Sequence, residues 1–301
     1  MTTPREPAAL RRAVLAITLL DQGELADLEV VEGGVRRAGR RPSPVLCWDE
    51  LLLAGGDPHD DAGEPVRRRR VARWIRIRLL LHDLLDAPDV VDRNATALTV
   101  VVRVRPRALC REHVLHPGPA WTRHTILGGA LDLGLALRGL DDDGLADPEA
   151  VGILPAGMLE AAGLDARAGA ARADRYLQDM ADLGAQRFRH DASSVLRPLG
   201  DADVVTLLAS RTYREALLDG QGMRSAAVPV RTRGWLDLGR LDPAFAVSAA
   251  ALTDPDDRGF PRPVLVTRDE LTLVRPGGSA VAQSLADPAP PERGGRVERI
   301  H

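Results

Sequence analysis

The stretch Val66–Leu85, VRRRRVARWIRIRLLLHDLL, places seven arginines in twenty residues and ends in a leucine run. Read as a helix, it sets Val71, Trp74, Ile77, Leu81, Leu84 and Leu85 on one face at steps of three and four. Arg69, Arg73, Arg76 and Asp83 then fall opposite, the pattern of a core helix with a solvated, charged back. Arg78 lies inside the apolar stripe, where it must reach solvent along its stem or meet a carboxylate. Alternation of Ile75, Ile77 and Leu79 with Arg76 and Arg78 also admits a strand, so both readings stay open.

The core that such a helix joins is expected to be aliphatic. Aromatic residues are 3% of the 301, against 45% apolar, which leaves Leu, Val and Ala as the main packing groups and Trp48, Trp74, Trp121 and Trp235 as large anchors. All 40 basic residues are arginine, and Asn94 is the single asparagine. GC-rich coding explains such a bias, so arginine abundance alone is weak evidence for a polyanionic partner. The absence of lysine is more decisive. It removes the P-loop, Schiff-base, protein-kinase and Ser-Lys chemistries, each of which needs a lysine amine. The charge is regional: residues 66–126 carry 13 arginines against five acids, whereas residues 127–301 carry 20 against 26.

Turn-forming Gly, Pro and Asp clusters punctuate the chain at 54–65, 139–150 and 254–263, and 277–301 reads as a disordered tail. DLEVVEGGVRRAG reads as a hairpin around Gly33 and Gly34. ALTVVVRVRPR reads as a half-buried strand with Val100, Val102 and Val104 on one face and Arg103, Arg105 and Arg107 on the other. Ala173, Leu177, Met180, Gly184 and Phe188 mark a long helix, with Arg175 and Asp179 outward. A second helix runs over 203–220, capped by Asp203 and ended by Gly220. RSAAVPVRTRGW and RPVLVTRDELTLV read as strands. In WTRHTILGGALDLGLALRGL the leucines fit either period. We favour a helix there, although Gly128, Gly129 and Gly134 each cost one about 1 kcal/mol relative to alanine. Strands mixed with helices without a βαβ rhythm predict an α+β fold, divided into an N-terminal region 1–110, a C-terminal region 111–276 and the tail 277–301. PVLCWDELLLAGG and PVLVTRDELTLVRPGG share P-V-L and D-E-L, an echo that the biased composition explains equally well.

Three groups of residues are candidates for a site. Arg67, Arg68, Arg69 and Arg70, together with Arg103, Arg105 and Arg107, would bind a polyanion if they shared one exposed surface. Arg197, Asp201, Asp203 and Arg211 surround an expected strand-to-helix junction with free backbone N–H groups, the best place for a ligand pocket. Cys110, His113 and His116, with His124 downstream, offer metal-ligand atoms. Their spacing matches no common zinc site, and the order Glu112-His113 differs from the zinc-protease helix, so no metal is expected. Asp141, Asp142, Asp143, Asp147 and Glu149 miss the EF-hand register and read as a solvated acidic loop.

No G-x-S-x-G, G-x-G-x-x-G or catalytic-cysteine signature is present. Two cysteines are too few for a disulfide scaffold, no run reaches the roughly 18 apolar residues of a membrane span, and the N-terminus lacks a small-residue cleavage site. These features predict a cytoplasmic protein without membrane association or cofactor. Its expected role is non-catalytic binding to a protein partner or a second copy of itself. Nucleic-acid or other polyanion binding through 66–126 is the alternative, and a lysine-independent enzyme comes third.

Overall fold

The computed structural model describes residues 25–39, 43–55, 63–86, 92–113, 116–117, 121, 123–191, 193–237, 243–254 and 257–274. The expected tail, 277–301, lies outside them. Among the described residues the chain forms eight α-helices and three antiparallel sheets, an α+β fold.

The first sheet is small. β1 (Leu28–Val31) and β2 (Gly34–Arg37) form the expected hairpin, and β3 (Leu46–Cys47) pairs with β2. Gly33, at φ 90°, takes the left-handed turn position that suits glycine, and a Cβ on Gly34 would collide with the carbonyl of Leu46. Helix α1 (Trp48–Gly55) and helix α2 (Glu64–Leu85) pack beside this sheet. The α2 stripe is buried as expected at Val71, Trp74, Ile77, Leu81 and Leu85, whereas Leu84 is exposed. Its charged back is only partly solvated, because Arg73 is 7% exposed while Arg69, Arg76 and Asp83 are half-buried, and neighbouring Arg70 is buried as well. Burial holds the pKa of half-buried Arg78 below the ordinary arginine value, although the charges of Glu50 and Asp86 act to raise it.

The reading of residues 97–107 as one strand is overturned. Helix α3 (Arg93–Val102) occupies most of it, started by the Asp92 carboxylate, which accepts the N–H of Asn94 at 2.9 Å. Strand β4 (Val104–Cys110) begins only after Arg103. The valine run tolerates both conformations, and Val102, expected inside with Val100 and Val104, is exposed. The helix favoured over 121–140 is also overturned. β5 (Arg123–Ile126), a 3-10 turn at Leu127–Gly129 and β6 (Leu131–Leu140) form a hairpin, with Gly128 and Gly129 at positive φ in the turn. β6 is central: β4 runs along one edge, while β5 and β7 (Ala146–Ile153) share the other. β6 buries Leu131, Leu133 and Leu137 on one face and Asp132, Ala136 and Leu140 on the other, and its leucines alternate as a strand requires although Leu127, Leu131 and Leu135 also fit a helical spacing.

Short helix α4 (Met158–Ala161) leads into α5 (Ala166–Asp191), the expected long helix. Its buried face is built from small residues, and a Cβ on Gly184 would lie 2.7 Å from the Tyr213 ring. The expected second helix is two: α6 (Val204–Ala209) and α7 (Arg211–Leu218), separated by extended Ser210. The break is sealed by buried Arg214, which donates to the carbonyls of Leu208 at 2.7 Å and Ala209 at 2.9 Å. The last sheet has the order β12-β11-β9-β10-β8, from β8 (Val195–Leu196), β9 (Arg224–Val230), β10 (Arg233–Leu236), β11 (Val264–Val266) and β12 (Leu271–Leu273). Helix α8 (Pro243–Leu252) packs on β9.

Apolar burial falls into two main clusters. One gathers the first sheet, α1, α2 and α4 with Val104 and Leu137. The other gathers α5 to α7 and the last sheet with Ala108, Cys110, Leu131 and Leu133. The β4–β6 ladder therefore contributes one end to each. Trp48, Trp74 and Trp121 are buried as anchors, while Trp235 is half-buried. No described helix is long and apolar enough to cross a membrane.

Candidate functional site: a buried arginine junction

Between these clusters, charge is buried. Arg105 and Arg107 sit two residues apart on β4 and project from the same face. Arg107 donates through Nη1 to the carbonyl of Val151 at 2.7 Å and through Nη2 to Asp142 Oδ2 at 2.9 Å. Asp142 stands in the β6–β7 turn, and its second oxygen accepts the backbone N–H of Ile153 at 3.2 Å. Burial pushes the Asp142 carboxyl toward neutrality, but Arg107, Arg231 and Arg73 together hold its pKa below the usual carboxylate range. The acidic turn is thus not a solvated loop at this position.

Helix α2 closes one side. Arg73 Nη1 donates to the carbonyl of Asp142 at 3.2 Å, Arg76 Nη1 to the carbonyl of Asp143 at 3.0 Å, and Arg69 Nε pairs with Asp143 at 2.6 Å. Arg70 reaches the carbonyl of His116 at 3.2 Å. Arg69, Arg70 and Arg73, with Arg107, His113 and Asp142, surround a cavity of about 40 Å³. Burial, together with the positive charge of Arg231, drives the His113 pKa down from 6.5 to about 4, so the imidazole is neutral at physiological pH.

The β9–β10 turn closes the other side with Arg231, 3% exposed. Its Nε donates to Asp203 Oδ2 at 2.9 Å, and its Nη2 donates to the carbonyl of Ala108 at 2.9 Å and also meets Asp203. Asp203 simultaneously caps α6 by accepting the N–H of Thr206 at 2.8 Å. Burial, with Arg107 close by, keeps the Arg231 pKa below the ordinary arginine value in spite of Asp203. A cleft of about 480 Å³ opens here, with Arg107 and Arg231 in its wall and Asp141, Glu149, Asp201 and Asp257 around them. Three donors in the junction, Nε of Arg73, Nε of Arg107 and Nη1 of Arg231, are buried without an acceptor among the described residues.

The seven arginines read as a polyanion surface are dispersed. Arg68 and Arg103 are exposed, Arg68 pairing with Glu64 at 3.3 Å. Arg67 and Arg69 are half-buried, while Arg70 and Arg105 are buried. Arg105 pairs with Asp201 at 2.6 Å and lies 4.4 Å from the Tyr176 ring centroid. Of the four residues expected around a pocket, Asp201 and Asp203 line the cleft. Arg211 is exposed beside Glu215 at 3.0 Å, and Arg197 is exposed near the end of β8. Cys110, His113 and His116 go separate ways. Burial raises the Cys110 thiol to about 11, His116 Nε2 contacts buried Asp132 at 3.0 Å, and His124 is exposed. No group of three or more metal-ligating side chains assembles among the described residues. The participants not anticipated from sequence are Arg73, Asp142 and Arg231. Nothing local in VRTRGW distinguishes Arg231, whose partners are 28 and 123 residues away.

No protein-family model matches the chain, and neither a curated protein nor a solved structure matches it.

Proposed function

We propose that this chain is a non-catalytic binding protein and that its ligand carries an anionic group received by the buried guanidinium cluster of Arg73, Arg107 and Arg231. The observation that carries the reading is the trio of buried donors without acceptors beside a cavity and a cleft. A buried donor left unmade costs about 1–3 kcal/mol, which an anionic acceptor recovers. The groups best suited to proton or nucleophile chemistry argue for binding. His113 titrates far below neutrality and Cys110 far above it. Two free thiols support a reducing, cytoplasmic setting.

Calorimetric titration with sulfate, phosphate and butyrate at low ionic strength tests this reading. Saturable binding of at least one anion, with a rise in Tm, is expected, and no heat and no Tm change with all three would overturn it. Nucleic acid is the alternative partner, and generic DNA in the same buffer separates it: binding to DNA without binding to the small anions favours the polyanion reading. Association with a protein or a second copy has its own support in exposed Leu98 and Val102 on α3 and Leu252 at the end of α8. Light scattering across a concentration series measures the self-association.

A further inference from the structure

We infer that the cleft beside Arg107 and Arg231 selects small zwitterions, taking the anionic group on the guanidiniums and a cationic amine on the carboxylates of Glu149 and Asp257. This rests on the anion-binding reading above and names the ligand class.

Most charges in the cleft are already satisfied. Asp142 is held by Arg107, Asp201 by Arg105 with Arg138 at 3.5 Å, Asp203 by Arg231, and Asp143 by Arg69. Asp141 Oδ1 accepts the backbone N–H groups of Asp143 and Leu145 within its own turn. Glu149 and Asp257 are exposed, line the cleft, and have no ion-pair partner among the described residues. The cleft therefore carries free carboxylates at its rim and, within its wall at Arg231 Nη1 and Arg107 Nε, donors that are buried with no acceptor among the described residues.

Backbone contacts place the two kinds of group together. Arg231 donates its backbone N–H to the carbonyl of Asp257 at 2.8 Å, so one carboxylate belongs to the segment that backs this guanidinium. Arg107 Nη1 is tied to the carbonyl of Val151, two residues from Glu149 on β7. Each buried arginine is thus anchored to the backbone segment that carries a free acid. A lone anion would gain the guanidiniums but meet the field of the acidic rim. A lone amine would gain the rim but leave the buried donors unmade. A molecule with both charges satisfies both, and a volume of about 480 Å³ is that of a small-molecule site.

Three aminocarboxylates of increasing span, glycine, 4-aminobutyrate and 6-aminohexanoate, are titrated calorimetrically against the full chain beside acetate, butyrate, hexanoate and sulfate. At least one zwitterion is expected to bind tenfold or more tightly than the carboxylate of matching length. The double substitution Glu149→Gln with Asp257→Asn, at exposed positions, is expected to reduce that zwitterion to the affinity of its control while leaving the carboxylate at least as tight as before. If sulfate or a carboxylate binds but no zwitterion gains over its control, the zwitterion assignment is wrong and the anion site stands. A gain that survives the double substitution also overturns the assignment. If none of the probes binds, sulfate included, the underlying anion reading falls with it.

Discussion

Arg107 and Asp142 form the pair on which the junction turns, since Arg107 borders both the cavity and the cleft. Removing one partner of a buried pair strands the other charge, whereas replacing both with apolar groups of similar size removes the desolvation cost as well. Arg107→Leu alone is therefore expected to destabilise the protein by about 3–5 kcal/mol in urea denaturation. The double variant Arg107→Leu with Asp142→Leu should recover at least half of that loss. His113 supplies a pH signature from the same place. Its pKa is about 4 in the folded chain against an ordinary 6.5, so the unfolded chain takes up the proton first on acidification. Stability should be complete above about pH 6.5 and fall by about 3 kcal/mol between there and pH 4. Asp142, whose folded pKa is depressed, extends the decline at lower pH. Denaturation at a series of pH values checks this, and His113→Gln should flatten the upper part of the profile.

At the scale of elements, helix starts are not equivalent even where the same residue type supplies the cap. Asp92 caps α3 from an exposed position, and Asp92→Ala should cost about 1 kcal/mol. Asp203 caps α6 and also neutralises Arg231, so Asp203→Ala loses the cap and leaves a guanidinium buried without its carboxylate. A loss of about 3 kcal/mol or more is expected, read as the difference between the two variants under identical denaturation. The same contrast explains what sequence patterning reveals here. The α5 helix is legible because one-sided burial writes a period of three to four into it, and α2 is legible from its apolar stripe although its burial extends around to Arg70 and Arg73. The α3–β4 boundary is hidden by a valine run that suits either conformation, and β6 is hidden because its leucines fit a spacing of four as well as a spacing of two. The Asp203 cap is visible locally, whereas its second partner, Arg231, is not.

Across the whole molecule, two apolar clusters meet on one ladder, and the buried arginines occupy the seam between them. The α+β class was legible from the mixture of element types, and Arg107, Asp201 and Asp203 were legible as candidates from charge set among apolar runs. Their convergence was not, because Arg107 meets Asp142 at a separation of 35 residues and Arg231 meets Ala108 at 123, distances that local periodicity does not encode. Arginines expected on the wet side of α2 became internal because the β6–β7 turn folds over them and supplies carbonyls as acceptors. A ligand bound in the seam should stabilise the whole fold, by about 2.7 kcal/mol at a hundredfold excess over Kd.

The claim that these guanidiniums are held ready for an anion is tested most directly at the donors themselves, by ¹H–¹⁵N NMR of the arginine Nε–H groups during a sulfate titration. Saturable downfield shifts at Arg73 and Arg107, assigned through Arg73→Gln and Arg107→Gln, are the predicted result. Resonances of these two groups that stay fixed while exposed arginines drift linearly with salt would contradict it.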